Sequence, residues 1–317
     1  MKTGNKIVKT TLFKVVFILA AIFFPFVVPD LYVLHLINLA MIFALLSLSW
    51  DVLWGYVGIF NFGHSAFFGF GAYAAALTSI HLGVSPLIGI IIAGFSAMGI
   101  SMLIAYPCLK LRGLYFSILM AAFSQILRTI FANAIEITRG ELGLWGIPTF
   151  NVPLLTKHVS NYYVILSVLI LSLIIIHKIS SSKIGIAFIA IREDEDASSS
   201  VGVNIVKVRL IALCLSAFLG GMSGALYAYY VGILVPSYAF GWTIVAATMA
   251  MTFFGGPATI YGPVAGAFLL TFLTEYLRFA EVLRFVIYGL IIMVVALFVP
   301  EGFIRKAVST TSSAKSE

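Results

Sequence analysis

The chain has 317 residues, 62% of them apolar and 10% charged, with a net charge of +7 and a mean hydropathy of +1.11. Soluble domains run at about 45–50% apolar and about 25% charged, so a water-soluble globule of this composition would expose large apolar patches and aggregate. An aromatic content of 14% excludes a disordered chain, and two cysteines cannot build a disulfide scaffold.

What remains is an integral membrane protein. A spanning helix needs about 20 residues, and a window of about 19 predicts spans near 12–29, 31–50, 66–82, 86–108, 113–133, 161–177, 207–231, 241–255, 262–280 and 284–300. The expected fold class is all-α: a single transmembrane domain over 1–317, with about ten helices and glycine-rich broken or re-entrant elements. The first 29 residues imitate a secretory signal but lack an A-x-A-like cleavage site, so they read as a retained helix. The tail, 306–317, reads as disordered.

The segment 51–65 is ambiguous between a short loop and an element that dips into the membrane. It opens the motif GYVGIFNFGHSAFFGFGAY at 55–73, whose five glycines each cost a plain helix about 0.8–1.0 kcal/mol relative to Ala. Non-helical backbone at membrane depth is tolerated only where protein buries it or it lines a cavity, and broken helices form the substrate sites of many transporters. The candidate translocation path is therefore Asn61, Gly63, His64 and Ser65, joined by Gly255 and Gly256 from a second glycine-rich element, FFGGPATIYGPVAGA at 253–267. His64 reads as a structurally hydrogen-bonded histidine rather than a proton carrier. Asp51, between Trp50 and Trp54, is expected at the membrane interface, because an acid at the bilayer centre costs about 2.5–3.5 kcal/mol.

Two hydrophilic segments stand apart. The outer one, 134–160, carries Gly, Pro and Trp145 and reads as a compact loop over the external mouth, either a plain connector or a docking surface. The inner one, 178–207, places Ile184, Ala187, Phe188 and Ile191 at helical spacing, followed by Arg192-Glu193-Asp194-Glu195-Asp196. Gly202 suits the left-handed end of a helix and Asn204 the cap of the next. These features predict a short amphipathic helix at the membrane surface, with acids on its polar side. It is either a solvated loop or a knob that seats in a cytoplasmic partner. The small-residue stripe Ser216, Gly220, Gly224, with Ala217, Gly221 and Ala225 beside it, predicts close helix packing. Cys108 and Cys214 read as free and buried. Glu275, Arg278, Glu281 and Arg284 read as a self-paired outer hairpin, and Arg128 as snorkelling outward.

Fourteen of the nineteen Lys and Arg residues fall on one side if both termini are cytoplasmic, which sets that orientation. The charge is thus a topology signal, dispersed at helix ends, and no nucleic-acid partner is expected. The motifs G-x-x-x-x-G-K-[ST], H-E-x-x-H and G-x-S-x-G do not occur. The expectation is a transport subunit, not an enzyme, with no cofactor or metal of its own; an ATPase that energised it would be another polypeptide.

The motifs at 55–73, GIAFIAIREDEDASSSVGVNIVKVRLIALCLSAFLGGMSGALYA, and FFGGPATIYGPVAGA occur in an order that resembles the permeases of branched-chain amino acid ABC transporters, of the M type rather than the H type. The resemblance spans about 35–303. It implies an importer of the bacterial inner membrane for branched-chain or related amino acids, urea or amides, working by alternating access. The implied partners are a second permease subunit, two cytoplasmic ATPases that carry ATP and Mg, a periplasmic or lipid-anchored solute-binding protein, and membrane lipid. It also implies that 192–202 is an ATPase-coupling helix, with Arg192, Glu193, Asp194, Glu195, Asp196, Ala197 and Gly202 in that segment. Ser198-Ser199-Ser200 departs from the bulkier or alanine-rich residues of the family pattern. The rival readings are a self-sufficient secondary transporter, whose ionisable candidates are Asp51, His64, Arg128 and Glu275, and a passive channel.

Overall fold

The computed structural model describes residues 24–25, 30–108, 114–150, 157–276, 286–287, 289–290 and 293–294. Its helices are α1 (Leu31–Asp51), α2 (His64–Leu82), α3 (Pro86–Cys108), α4 (Leu114–Asn133), α5 (Lys157–Ser180), α6 (Lys183–Glu193), α7 (Glu195–Ser200), α8 (Ile205–Val231), α9 (Trp242–Gly255) and α10 (Gly262–Tyr276). Seven helical stretches among the described residues are long and apolar enough to cross a membrane. They match seven of the ten expected spans. The expected spans 12–29 and 284–300 fall mostly outside the described residues, as do Arg278, Glu281 and Arg284. The expected span 262–280 is described over Gly262–Tyr276, 15 residues, too short to count.

α8 is the central helix, and it packs most extensively on α2 and α3. Its small-residue stripe explains why. A Cβ on Gly224 would sit 2.0 Å from the Phe68 carbonyl oxygen of α2, and one on Gly221 would sit 2.6 Å from the Ala93 carbonyl oxygen of α3. Only hydrogen side chains permit backbones this close. On the same helix Ser216 donates to the Ser49 carbonyl (2.7 Å) and Ser223 to the Ile42 carbonyl (2.9 Å), both on α1. These bonds spare the spans a buried, unpaired hydroxyl. The tight-packing expectation for this stripe holds on both of its edges.

At one end of α8 a two-residue antiparallel pair ties the loop after α4 to the loop before α9: β1 (Leu144–Trp145) to β2 (Ile233–Leu234). The loop after α4 is further held by Arg128, whose guanidinium lies 3.9 Å from Glu141, and by Arg139 stacked 4.1 Å over Trp145. Cys214 is a free thiol, as expected, but half-buried rather than buried; the side chain of Cys108 lies outside the described residues. Glu275 accepts a hydrogen bond from Tyr32 at 2.7 Å, which links α10 to the start of α1.

The opposite end of α8 carries the predicted punctuation. Gly202 has φ +89°, and the Asn204 side chain accepts from the Lys207 amide at 3.0 Å, capping α8. The segment before it is two helices, not one. α6 ends at Glu193, Asp194 turns extended, and its carboxylate accepts from the Ala197 amide at 2.9 Å to start α7. The buried face of α6 also differs from expectation: it is Gly185, Phe188 and Ile191, whereas Ile184 is exposed. A Cβ on Gly185 would lie 2.3 Å from the Ser180 carbonyl oxygen. The helix is therefore rolled to press its bare glycine onto the end of α5.

Candidate functional site

Three elements converge where α1 ends. α1 does not stop at Asp51 but widens into a π-helical turn, Val52–Tyr56, and the chain then leaves helical geometry over 58–63 before α2 begins. A π turn shifts the backbone ladder by one residue, and such turns are frequent at functional sites. Here the Gly55 carbonyl accepts from Arg192 Nη1 at 2.6 Å. The stem of Arg192 lies over Gly58, where a Cβ would come within 3.2 Å of Arg192 Cγ. Gly58 also has φ +79°, so the position calls for glycine on two counts. α6 thus rests on the glycine-rich motif through its last basic residue.

Asp51 lies in the same place. Its carboxylate is 1% exposed, and Oδ1 accepts from the Ala258 amide at 3.1 Å. The acid is enclosed by the protein rather than open to solvent, which leaves its expected depth at the membrane interface unaltered. It closes onto the turn between α9 and α10, where Ala258 holds φ +58°. A Cβ on Gly55 would sit 2.0 Å from Asp51 Oδ1 and 2.4 Å from the Ala258 nitrogen. Gly55 is where the two glycine-rich elements meet.

The predicted path residues are all buried but not all together. Asn61 Oδ1 accepts from the Gly63 amide (2.9 Å), and its carbonyl accepts from Trp50 Nε1 (3.0 Å). His64 Nε2 lies 2.7 Å from Ser49 Oγ. Because that hydroxyl donates to the Leu46 carbonyl, the bond is best satisfied with Nε2–H as donor. His64 is hydrogen-bonded, as expected. Ser65 bonds the Ser124 hydroxyl at 2.8 Å and the Phe240 carbonyl at 3.2 Å. Gly63 abuts α4, with a Cβ there only 1.8 Å from the Met120 carbonyl oxygen. Gly255 abuts Gly262, a Cβ added at Gly255 sitting 1.8 Å from the Gly262 carbonyl oxygen, and Gly256 has φ +102°. Trp50, Trp54, Phe60 and Phe253, from segments adjoining both sets in sequence, form one aromatic cluster.

The acidic segment divides by direction. Glu193, Asp194, Asp196 and Ala197 are exposed, and Ser198 is buried. Glu195 turns inward and forms a 2.6 Å ion pair with Arg209 of α8, the side chains being 25% and 11% exposed. The acids thus do not share one polar face. The sequence reading missed Arg209, Gly55, Gly58, Ser49 and Ala258. Gly55 and Gly58 lay within the glycine-rich motif without being singled out, and Arg209 is a cation in the first turns of α8; Ser49 and Ala258 carried no local signal.

Among the described residues, seven helices long and apolar enough to cross a membrane, with a surface helix pair seated on glycine-rich turns, are the architecture of a polytopic membrane protein. The sequence matches the family model for the branched-chain amino acid transport system permease component over residues 32–296, and the chain belongs to that family. It is 29% identical to the LivM permease of the high-affinity branched-chain amino acid transport system of Escherichia coli K12, covering 94% of this chain and 75% of that one. A probable LivM of Methanocaldococcus jannaschii is 21% identical over 83% of this chain and 90% of its own. The Escherichia coli K12 LivH permease is 24% identical over 74% and 81%. No solved structure matches.

Proposed function

We propose that the chain is a membrane subunit of an inner-membrane ABC importer for branched-chain or related amino acids. In this reading it pairs with a second permease, two cytoplasmic ATPases that carry ATP and Mg, and an extracytoplasmic binding protein. ATPase closure pushes on α6–α7, and the spans around the two glycine-rich elements alternate access. The single observation that carries the proposal is the α6–α7 pair. Its acids Glu193 and Asp196 point outward, while Arg192 and Glu195 bind it inward to α1 and α8. A solvated connector needs no such anchoring; a lever does.

The full bundle would have about ten spans and both termini in the cytoplasm, with 178–207 inside and 134–160 outside. Relatives named LivM and LivH belong to one transport system, which supports pairing with a second permease. So does α4, the least enclosed of the seven candidate spans. Its open face holds a groove of about 500 Å³ lined by Gln125, Ile126, Thr129, Ile130 and Asn133. Carboxamides suit lipid poorly and suit a partner helix or a passing solute.

The test is purification of the tagged chain from its native membrane, followed by leucine uptake in vesicles. Co-purification of an ATPase and ATP-dependent uptake are expected. Proton-driven uptake by the chain alone would transfer the assignment to a secondary transporter.

A further inference from the structure

The geometry points to Arg192 as the positioning residue through which movement of α6–α7 reaches both glycine-rich turns at once. This rests on the lever reading of the surface helix pair and names the route that such a lever would use. α6 packs directly on the π turn. Its guanidinium holds the Gly55 carbonyl at 2.6 Å, a charge-assisted bond of the short, strong kind. Gly55 in turn has no room for a side chain, because Asp51 Oδ1 and the Ala258 amide occupy that space. Asp51 holds Ala258 at 3.1 Å. Three consecutive contacts therefore run from the surface helix to the turn between α9 and α10.

Two properties make this a route rather than a brace. The first is economy: one side chain joins segments 137 residues apart in sequence, and the carboxylate behind it joins segments 207 apart. The second is that both receiving elements are irregular, a π turn and a turn with a non-glycine residue at positive φ. Irregular backbone held by its surroundings is where a chain can exchange one arrangement for another.

The experiment uses the complex purified with the tagged chain, with Cys108 and Cys214 replaced by Ala and a reporter cysteine at Tyr261→Cys. Tyr261 lies in the α9–α10 turn and is 62% exposed. The rate of alkylation of the reporter is read with and without Mg-ATP, and hydrolysis is measured in the same sample. The expected result is an ATP-dependent change in rate that Arg192→Ala reduces about tenfold per ATP hydrolysed, the factor for losing one charged hydrogen bond. Arg192→Lys, which retains one donor, restores part of it. Unchanged ATP dependence in Arg192→Ala overturns the proposal and leaves the lever reading standing. So does an ATP-insensitive reporter in a complex that hydrolyses ATP. Loss of the ATPase from the Arg192→Ala complex overturns it as well, because Arg192 would then serve assembly alone. Absence of an ATPase from the unmutated complex overturns the lever reading itself.

Discussion

Glu195 is the acid whose role changes most between sequence and structure, and a double-mutant cycle tests its pair with Arg209. The Oε2–Nη2 distance is 2.6 Å, with Arg209 11% and Glu195 25% exposed. Removing one partner of a fully buried pair costs about 3–5 kcal/mol. The residual exposure of Glu195 brings the expectation nearer a charged hydrogen bond, about 1.5–3 kcal/mol. Glu195→Gln should therefore destabilise the chain by about 2 kcal/mol, whereas Glu193→Gln on the exposed face should change stability little. The assay is equilibrium unfolding in mixed detergent micelles, applied to Glu195→Gln, Arg209→Gln and the double variant. A coupling energy of about 1–2 kcal/mol is expected from the cycle. The charge swap Glu195→Arg with Arg209→Glu should recover most of the loss. A coupling below about 0.5 kcal/mol, or no recovery in the swap, would refute the assignment of Glu195 to an internal pair.

Other expectations follow from single contacts. Gly224→Ala should cost more than about 1–3 kcal/mol, because its Cβ would meet the Phe68 carbonyl at 2.0 Å, while Gly99→Ala, with nothing within 4 Å, should be neutral or stabilising; the same unfolding assay compares them. Asp194→Ala removes the cap of α7 and should cost the helix about 1 kcal/mol, seen as faster hydrogen exchange at the Ala197 amide. Ser49→Ala leaves buried His64 Nε2 without its partner and should cost about 1–3 kcal/mol. A loss smaller than that of Thr78→Ala, whose hydroxyl bonds only within its own helix, would count against the assignment.

The spans were legible because a membrane demands long apolar runs, and a run is a local property. The same holds for Gly202 and Asn204, whose roles depend on backbone within three residues. The inner segment was legible only in part. Its helix period was real, yet the buried face shifted from Ile184 to Gly185, because contact with the α5 carbonyls depends on where the chain folds back. Asp51 was placed by the general cost of an acid in lipid. Its carboxylate is also held by the Ala258 amide, 207 residues away, and no periodicity reports that. The resemblance places Arg192 in the surface segment, where it is exposed; its bond to the Gly55 carbonyl, 137 residues away, is a second contact that no local pattern reports.

The distribution of unmet polar atoms separates two parts of the bundle. Among the described residues eight buried side-chain polar atoms have no hydrogen-bond partner, and four belong to Asp51, Trp54, Asn61 and His64. Buried polar groups are ordinarily paired, and each exception asks for a reason. On the seam of α8 against α1 and α2, by contrast, Ser216 and Ser223 both find carbonyls, and glycines let the backbones approach closely. A stretch of fourteen residues holds half of these atoms, and so leaves more polar groups open to a water, a solute or a partner than the rest of the described bundle. Natural chains break such rules chiefly where function requires it. If the chain works by the alternating access proposed above, the small-residue interface of α8 would be the part that holds, and the π turn with the start of α2 the part that yields.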